Sequence, residues 1–156
     1  MGLWERLIGS GPAQEKDASR LLPELLASYT EEARLARQIR EHAEHAPNHA
    51  SAQVLRAVAD EQDQLVQLLH DKIVALGGEA GNNVGSSKGG KNHWTRVVCD
   101  LEDNRALEQG YIQQLIYWDP EFPEAADLFR TLEREKGRLN ARLRDIALRA
   151  DPHALN

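Results

Sequence analysis

Leu128-Phe129-Arg130-Thr131-Leu132-Glu133-Arg134-Glu135-Lys136-Gly137-Arg138-Leu139 decides how this chain folds. Extended in both directions, its apolar positions read Ala125, Phe129, Leu132, Leu139, Leu143 and Ile146, with Lys136 alone among them. Steps of three and four residues follow the helical turn, so the segment predicts an amphipathic helix with one ammonium group aimed inward. Outward from it, three more stretches carry the same pattern. The first runs Leu22, Leu25, Tyr29, Glu32, Ala36, Ile39, Ala43, and the second Val54, Val58, Glu61, Leu65, Leu68. The third runs Trp94, Val98, Leu101, Arg105, Glu108, Ile112, Leu115. Each stripe is broken by charge near its middle, which predicts a charged layer at one depth of a helical core. A buried, unpaired carboxylate is costly or shifts its pKa, so glutamates there need metal, cations or water.

The bulk properties narrow the class. A chain of 156 residues is one domain, long enough for a four-helix core. No run of eighteen apolar residues is present, so no transmembrane segment is expected. A net charge of −6 argues against general nucleic-acid binding. Cys99 is alone, which points to a reducing, cytoplasmic setting, and beside the third stripe it reads as a packing residue.

Residues 1–12 read as an N-terminal arm and linker, and 13–156 as the bundle. Leu3, Trp4, Leu7 and Ile8 share one side of the arm, which either folds back on the bundle or docks a protein partner. Helix 1 is predicted over about 18–45, capped by Asp17 or Ser19, and Pro47-Asn48 breaks it. Helix 2 follows to Leu76, where Gly77 and Gly78 suit a left-handed end. Residues 77–91 are rich in Gly, Asn and Ser and predict a long loop. Helix 3 spans about 92–118 and ends at Asp119-Pro120. Pro123 suits the first turn of helix 4, which reaches about Arg149.

Short turns make helices 1 and 2 antiparallel, and likewise 3 and 4. A loop of about 15 residues spans roughly 50 Å. A helix of about 27 residues is only about 40 Å long. The fold expected is therefore an all-α, antiparallel four-helix bundle with a long crossover between helices 2 and 3.

Two helix pairs joined by such a crossover, with inward glutamates, resemble the ferritin-like superfamily over roughly residues 18–149. Tyr117-Trp118-Asp119-Pro120-Glu121-Phe122 is similar to the Met-Tyr-Pro-Glu-Phe turn of rubrerythrins. Val74-Ala75-Leu76-Gly77-Gly78 resembles an uncharacterised bacterial branch of ferritin-like proteins. The resemblance implies one Glu on each of two helices and Glu-x-x-His on the other two, together holding two metal ions. Glu32 matches the lone Glu of helix 1, and Glu61 matches helix 2, with Gln64 where the His belongs. Helix 3 supplies Glu108, with Glu102 and Asn104 less well placed. Helix 4 offers Glu133-x-x-Lys136 or Glu135-x-x-Arg138 and no His; Lys136 stands at the Glu position and Leu139 at the His position.

These residues support different readings. In the first, Arg105 and Lys136 take the place of the metal pair and neutralise Glu32, Glu61 and Glu108, so Glu32, Glu61, Gln64, Arg105, Glu108 and Lys136 form a charged layer with no catalytic residue and no cofactor. The protein is then a non-catalytic, binding or stress-associated relative. In the second, Glu32, Glu61, Glu102 and Glu108 survive as ligands to iron or manganese in a diiron or dimanganese oxidoreductase or iron-handling protein. A different helical phase would turn other residues inward. A homodimer is expected from aromatics such as Trp4 and Trp118 taken as exposed, and from the superfamily's habits.

Other motifs carry bland readings. His42, His45 and His49 suit imidazolium at a solvated helix C-terminus better than a surface zinc, and His70, His93 and His153 are isolated. Residues 85–92 approach a phosphate-binding loop but end in Asn92, with no hydrophobic strand upstream. Arg130, Arg134, Arg138 and Arg142 form a row that reads as a salt-bridged face. Gly110 suggests a close helix approach beside Tyr111.

Overall fold

A computed structural model describes residues 12–82 and 84–152, with side chains described from Ser19 onward. Its elements are α1 (Pro12–Glu44), α2 (His49–Ala75), α3 (His93–Trp118) and α4 (Pro123–Ala150). No strand occurs among the described residues. No helix among them is long and apolar enough to cross a membrane.

Local chemistry accounts for most of the boundaries. Asn48 caps α2 by accepting from the Ser51 amide at 2.8 Å. Asn92 and Thr95 cap α3 reciprocally: the Thr95 amide donates to Asn92 Oδ1 at 2.9 Å, and the Asn92 amide to Thr95 Oγ1 at 3.0 Å. Pro123 opens α4, where a missing N–H costs nothing. Gly77, at φ +81°, turns the chain out of α2 in the left-handed region that glycine enters freely. The start of α1 differs from expectation. Helix already passes through Asp17 and Ser19, so neither caps it, and Pro12 begins the helix rather than closing a linker. Leu3, Trp4, Leu7 and Ile8 lie outside the described residues.

α1 packs chiefly on α2, and α3 on α4, with lesser α1–α3 and α2–α4 seams. All four contribute to one core, including Leu25 and Ile39 of α1, Leu55 and Leu69 of α2, Val97 and Leu101 of α3, and Phe129 and Leu143 of α4. The whole α4 stripe is buried, Lys136 included. In α2 and α3 the expected Val58, Leu65 and Leu101 are buried, but much of each stripe is displaced by one residue. Their interiors carry Leu55, Gln62 and Leu69, and Val97, Asn104 and Tyr111, rather than Val54, Glu61 and Leu68, or Arg105 and Ile112. Trp118 is also buried, donating to Gln114 at 3.1 Å and packing on Phe122. It is therefore not the exposed aromatic on which pairing of two chains was expected. At Gly110 an added Cβ would meet nothing within 4 Å, so no close approach within this chain requires glycine there.

The segment between α2 and α3 lies against α1. A Cβ on Gly78 would stand 2.7 Å from Leu22 Cδ1, near the start of that helix. Farther along, Arg37 donates to the Gly85 carbonyl, and Lys88 meets Gln38 and His42.

Candidate functional site

Five side chains from all four helices meet at the centre. Glu32 and Lys136 are both wholly buried, and the ammonium donates to Glu32 Oε2 at 2.6 Å. Lys136 also donates to Asn104 Oδ1 at 2.9 Å. Gln62 Nε2 donates to Glu32 Oε2 at 2.9 Å and to Asn104 Oδ1 at 3.1 Å. Tyr111 donates to Glu32 Oε1 at 2.7 Å. Asn104 Nδ2 closes on the Asp100 carbonyl one turn back. The carboxylate thus accepts from an ammonium, an amide and a phenol, which is how a buried charge is tolerated. Burial pulls Lys136 below its ordinary pKa, with Glu32 opposing. Burial and the neighbouring carboxylate hold the Tyr111 hydroxyl well above its ordinary range, so it stays a donor.

Of the six residues expected in this layer, Glu32 and Lys136 meet there. Glu61 is partly exposed at the α2–α4 seam and pairs with Arg142 at 2.5 Å. Gln64 and Arg105 are exposed, so neither belongs to the core. Glu108 lies at the rim, accepting from Asn140 Nδ2 at 2.8 Å, and Glu102 is exposed. Gln62, Asn104 and Tyr111 complete the layer instead. The available signal was that Gln62 and Asn104 fall on the helical repeat of Leu55 and Leu69, and of Val97 and Tyr111.

The donor set does not fit the dimetal centre that the resemblance implies. One carboxylate faces the layer, beside a cation that repels a metal ion, and the remaining groups are amides and a phenol. Gln62 Oε1 is buried without a partner, yet one amide oxygen adds only a weak ligand. Among the described residues no group of three or more His, Cys, Asp or Glu side chains is placed to hold a metal ion.

A second buried polar cluster lies toward the start of α3. Asp100 is completely buried; its Oδ2 lies 2.8 Å from His42 Nδ1, and its Oδ1 accepts from Gln38 Nε2 at 2.8 Å. His42 Nε2 faces the Lys88 carbonyl at 2.9 Å. Gln38 Oε1 accepts from the Lys88 amide and from Arg34, each at 2.7 Å. Asp103 ties the cluster to the surface, paired with Lys88 Nζ at 2.9 Å and Arg34 at 3.2 Å. His42 is therefore not a solvated imidazolium at a helix end: it is 5% exposed and sits in an ion-pair network. Burial works to lower its pKa, but Asp100 and the Lys88 carbonyl outweigh that and raise it. Burial raises Asp100, with His42 and Gln38 opposing. Asp103 goes below the usual carboxylate range because Lys88 and Arg34 overcome its partial burial. His93 Nδ1 is buried without a hydrogen-bond partner among the described residues, and burial and the charge of Arg96 lower its pKa. Burial also raises the Cys99 thiol, which disfavours the reactive thiolate.

Elsewhere, Arg130, Arg138 and Arg142 pair with Asp127, Glu135 and Glu61, making the arginine row a salt-bridged face. A cavity of about 410 Å³ lies between the start of α2 and the end of α4, with Val54, Ile146, Arg142, Asp145 and Arg149 in its lining. Arg142 is already engaged by Glu61 and Asp145 offsets Arg149, so the lining selects no charge on a ligand.

No protein-family model and no curated protein matches this chain.

Proposed function

We propose that this protein is a ferritin-like bundle whose central layer is an ion-pair core in place of a dimetal centre. It works without catalysis, as a binding or stress-associated protein of the bacterial cytoplasm, paired as a homodimer. Lys136 carries the reading: its buried ammonium lies 2.6 Å from Glu32 and 2.9 Å from Asn104, with Glu32 as the carboxylate that it contacts. A metal dication there would face a like charge across a few ångströms in a low-dielectric interior.

The ferritin-like arrangement rests on the order of contacts. Glu32 meets Gln62 while Leu22 lies beside Gly78, just past the end of α2, so α2 runs against α1. Glu32 meets Tyr111 while His42 meets Asp100, so α3 also runs against α1. α2 and α3 then point the same way, and the segment joining them is the crossover.

Metal content tests the reading. Protein purified without a tag and incubated with Fe²⁺ under argon should hold no stoichiometric metal by plasma mass spectrometry. About two iron or manganese atoms per chain would overturn it and restore an oxidoreductase or iron-handling role. Sedimentation velocity tests the pairing, with a species of twice the chain mass expected.

A further inference from the structure

His42 has an acceptor on each ring nitrogen: the Asp100 carboxyl at 2.8 Å and the Lys88 carbonyl at 2.9 Å. A backbone carbonyl can only accept, so Nε2 must carry a proton for that contact to be a hydrogen bond. The contact to Asp100 needs a second proton, lying between Nδ1 and Oδ2. The pair makes both bonds only as imidazolium with carboxylate, or as neutral imidazole with carboxylic acid. Without the bridging proton, a neutral ring can donate to one partner and must turn a lone pair on the other. Asp100 is completely buried and charged, so it retains the remaining donor, and the Lys88 carbonyl loses its own.

We propose that residues 84–92 form a strap latched to α1 and α3 by this bridging proton, and that its loss on alkalinisation releases the strap at Lys88. The surroundings favour the charged form of the ring. From α3, Asp100 faces it directly and Asp103 adds negative charge, while Arg96 and His93 oppose. From its own helix Gln38 binds the same carboxylate, and Arg34 lies beyond it, held by Glu31 and Asp103. From the strap come the Lys88 carbonyl and, outside, its ammonium on Asp103. Folded pKa values of both latch partners lie above their ordinary values. The Asp103 pairs persist after release, while the Lys88 amide bond to Gln38, no longer braced through the neighbouring carbonyl, opens more often, so the strap loosens rather than departs.

The Asp100→Asn variant separates this latch from ordinary packing. The side-chain amide that it introduces can donate to Nδ1 of neutral His42 while its oxygen still accepts from Gln38 Nε2. The other ring nitrogen then keeps its proton for Lys88 at any pH, and the strap no longer depends on a bridging proton.

The experiment is amide exchange at Lys88 by NMR, corrected for intrinsic rates, with the His42 ring titrated by its nitrogen shifts. In the natural protein His42 should titrate above about 6.5, and protection at Lys88 should fall about tenfold between pH 6 and pH 9. Asp100→Asn should keep Lys88 protected across that range. His42→Gln removes the titrating group and should flatten the profile even if Asp100→Asn folds poorly. Constant protection in the natural protein, or an undiminished pH dependence in either folded variant, would overturn the latch.

Discussion

At the centre of the bundle, Glu32, Gln62, Asn104, Tyr111 and Lys136 join one another from four helices, beyond the reach of water. Toward the start of α3, Gln38, His42 and Asp100 join one another and also a segment without regular structure, through Lys88. Both clusters contain a fully buried acidic side chain beside a basic partner, His42 in one and Lys136 in the other. They differ in what a lost proton or side chain can do. The contacts of the central pair all come from helices, so damage there falls on global stability. The outer pair can give up one hydrogen bond to a segment that also rests on surface ion pairs, so damage is felt locally.

The largest expected effect tests the central cluster. Lys136→Ala leaves Glu32 buried without its counter-ion and should destabilise the fold by about 3–5 kcal/mol in urea unfolding. The double change Glu32→Gln with Lys136→Met removes both charges at similar volume and should recover most of that loss. A double variant as unstable as Lys136→Ala alone would show that the pair does more than neutralise itself.

A mid-sized effect should come from pH. His42 has a folded pKa above its unfolded value near 6.5, so its contribution is complete below 6.5 and fades as pH rises through the folded value. His93 acts oppositely: its lowered pKa gives stability above 6.5 that is lost as pH falls. Urea midpoints for His42→Gln should therefore fall less steeply on alkalinisation than those of the natural protein, and an unchanged slope would remove His42 from the linkage.

Two smaller changes mark the rim. Gly110→Ala should stabilise the bundle by about 0.5–1 kcal/mol, because helix geometry tolerates the methyl and nothing stands within 4 Å of it. A loss of stability there would point to a contact between copies of the chain at Gly110. Glu61→Ala should cost about 0.2–1 kcal/mol, since its pair with Arg142 is more than a third exposed on both sides. A cost as large as that of Lys136→Ala would erase the distinction between centre and rim.

How much of this was legible differed from helix to helix. In α4 the apolar residues repeat without competition, and one charge interrupts them, so all seven stripe positions named from the sequence are buried. α1 was nearly as clear, with Glu32 on the same face as Leu25, Ala36 and Ile39. In α2 and α3 adjacent positions carry similar polarity: Glu61 beside Gln62, Val97 beside Val98, Asn104 beside Arg105. A turn of one residue costs little in apolar content there, and periodicity alone leaves the phase open.

By itself the sequence determined four helices, the break at Pro47-Asn48, the glycine exit at Gly77, and a core in which Lys136 faces inward. These follow from local propensity and from a 3.6-residue repeat. Only tertiary structure decided which polar neighbours enter the core. Gln62 and Asn104 complement Glu32 and Lys136 as donors and acceptors, whereas Glu61 and Arg105 would have added full charges to be compensated. It also decided the meeting of His42 with Asp100, residues 58 apart in sequence. Hydrogen-bond complementarity between distant segments leaves no periodic trace along the chain, and so it becomes visible only once the helices are packed.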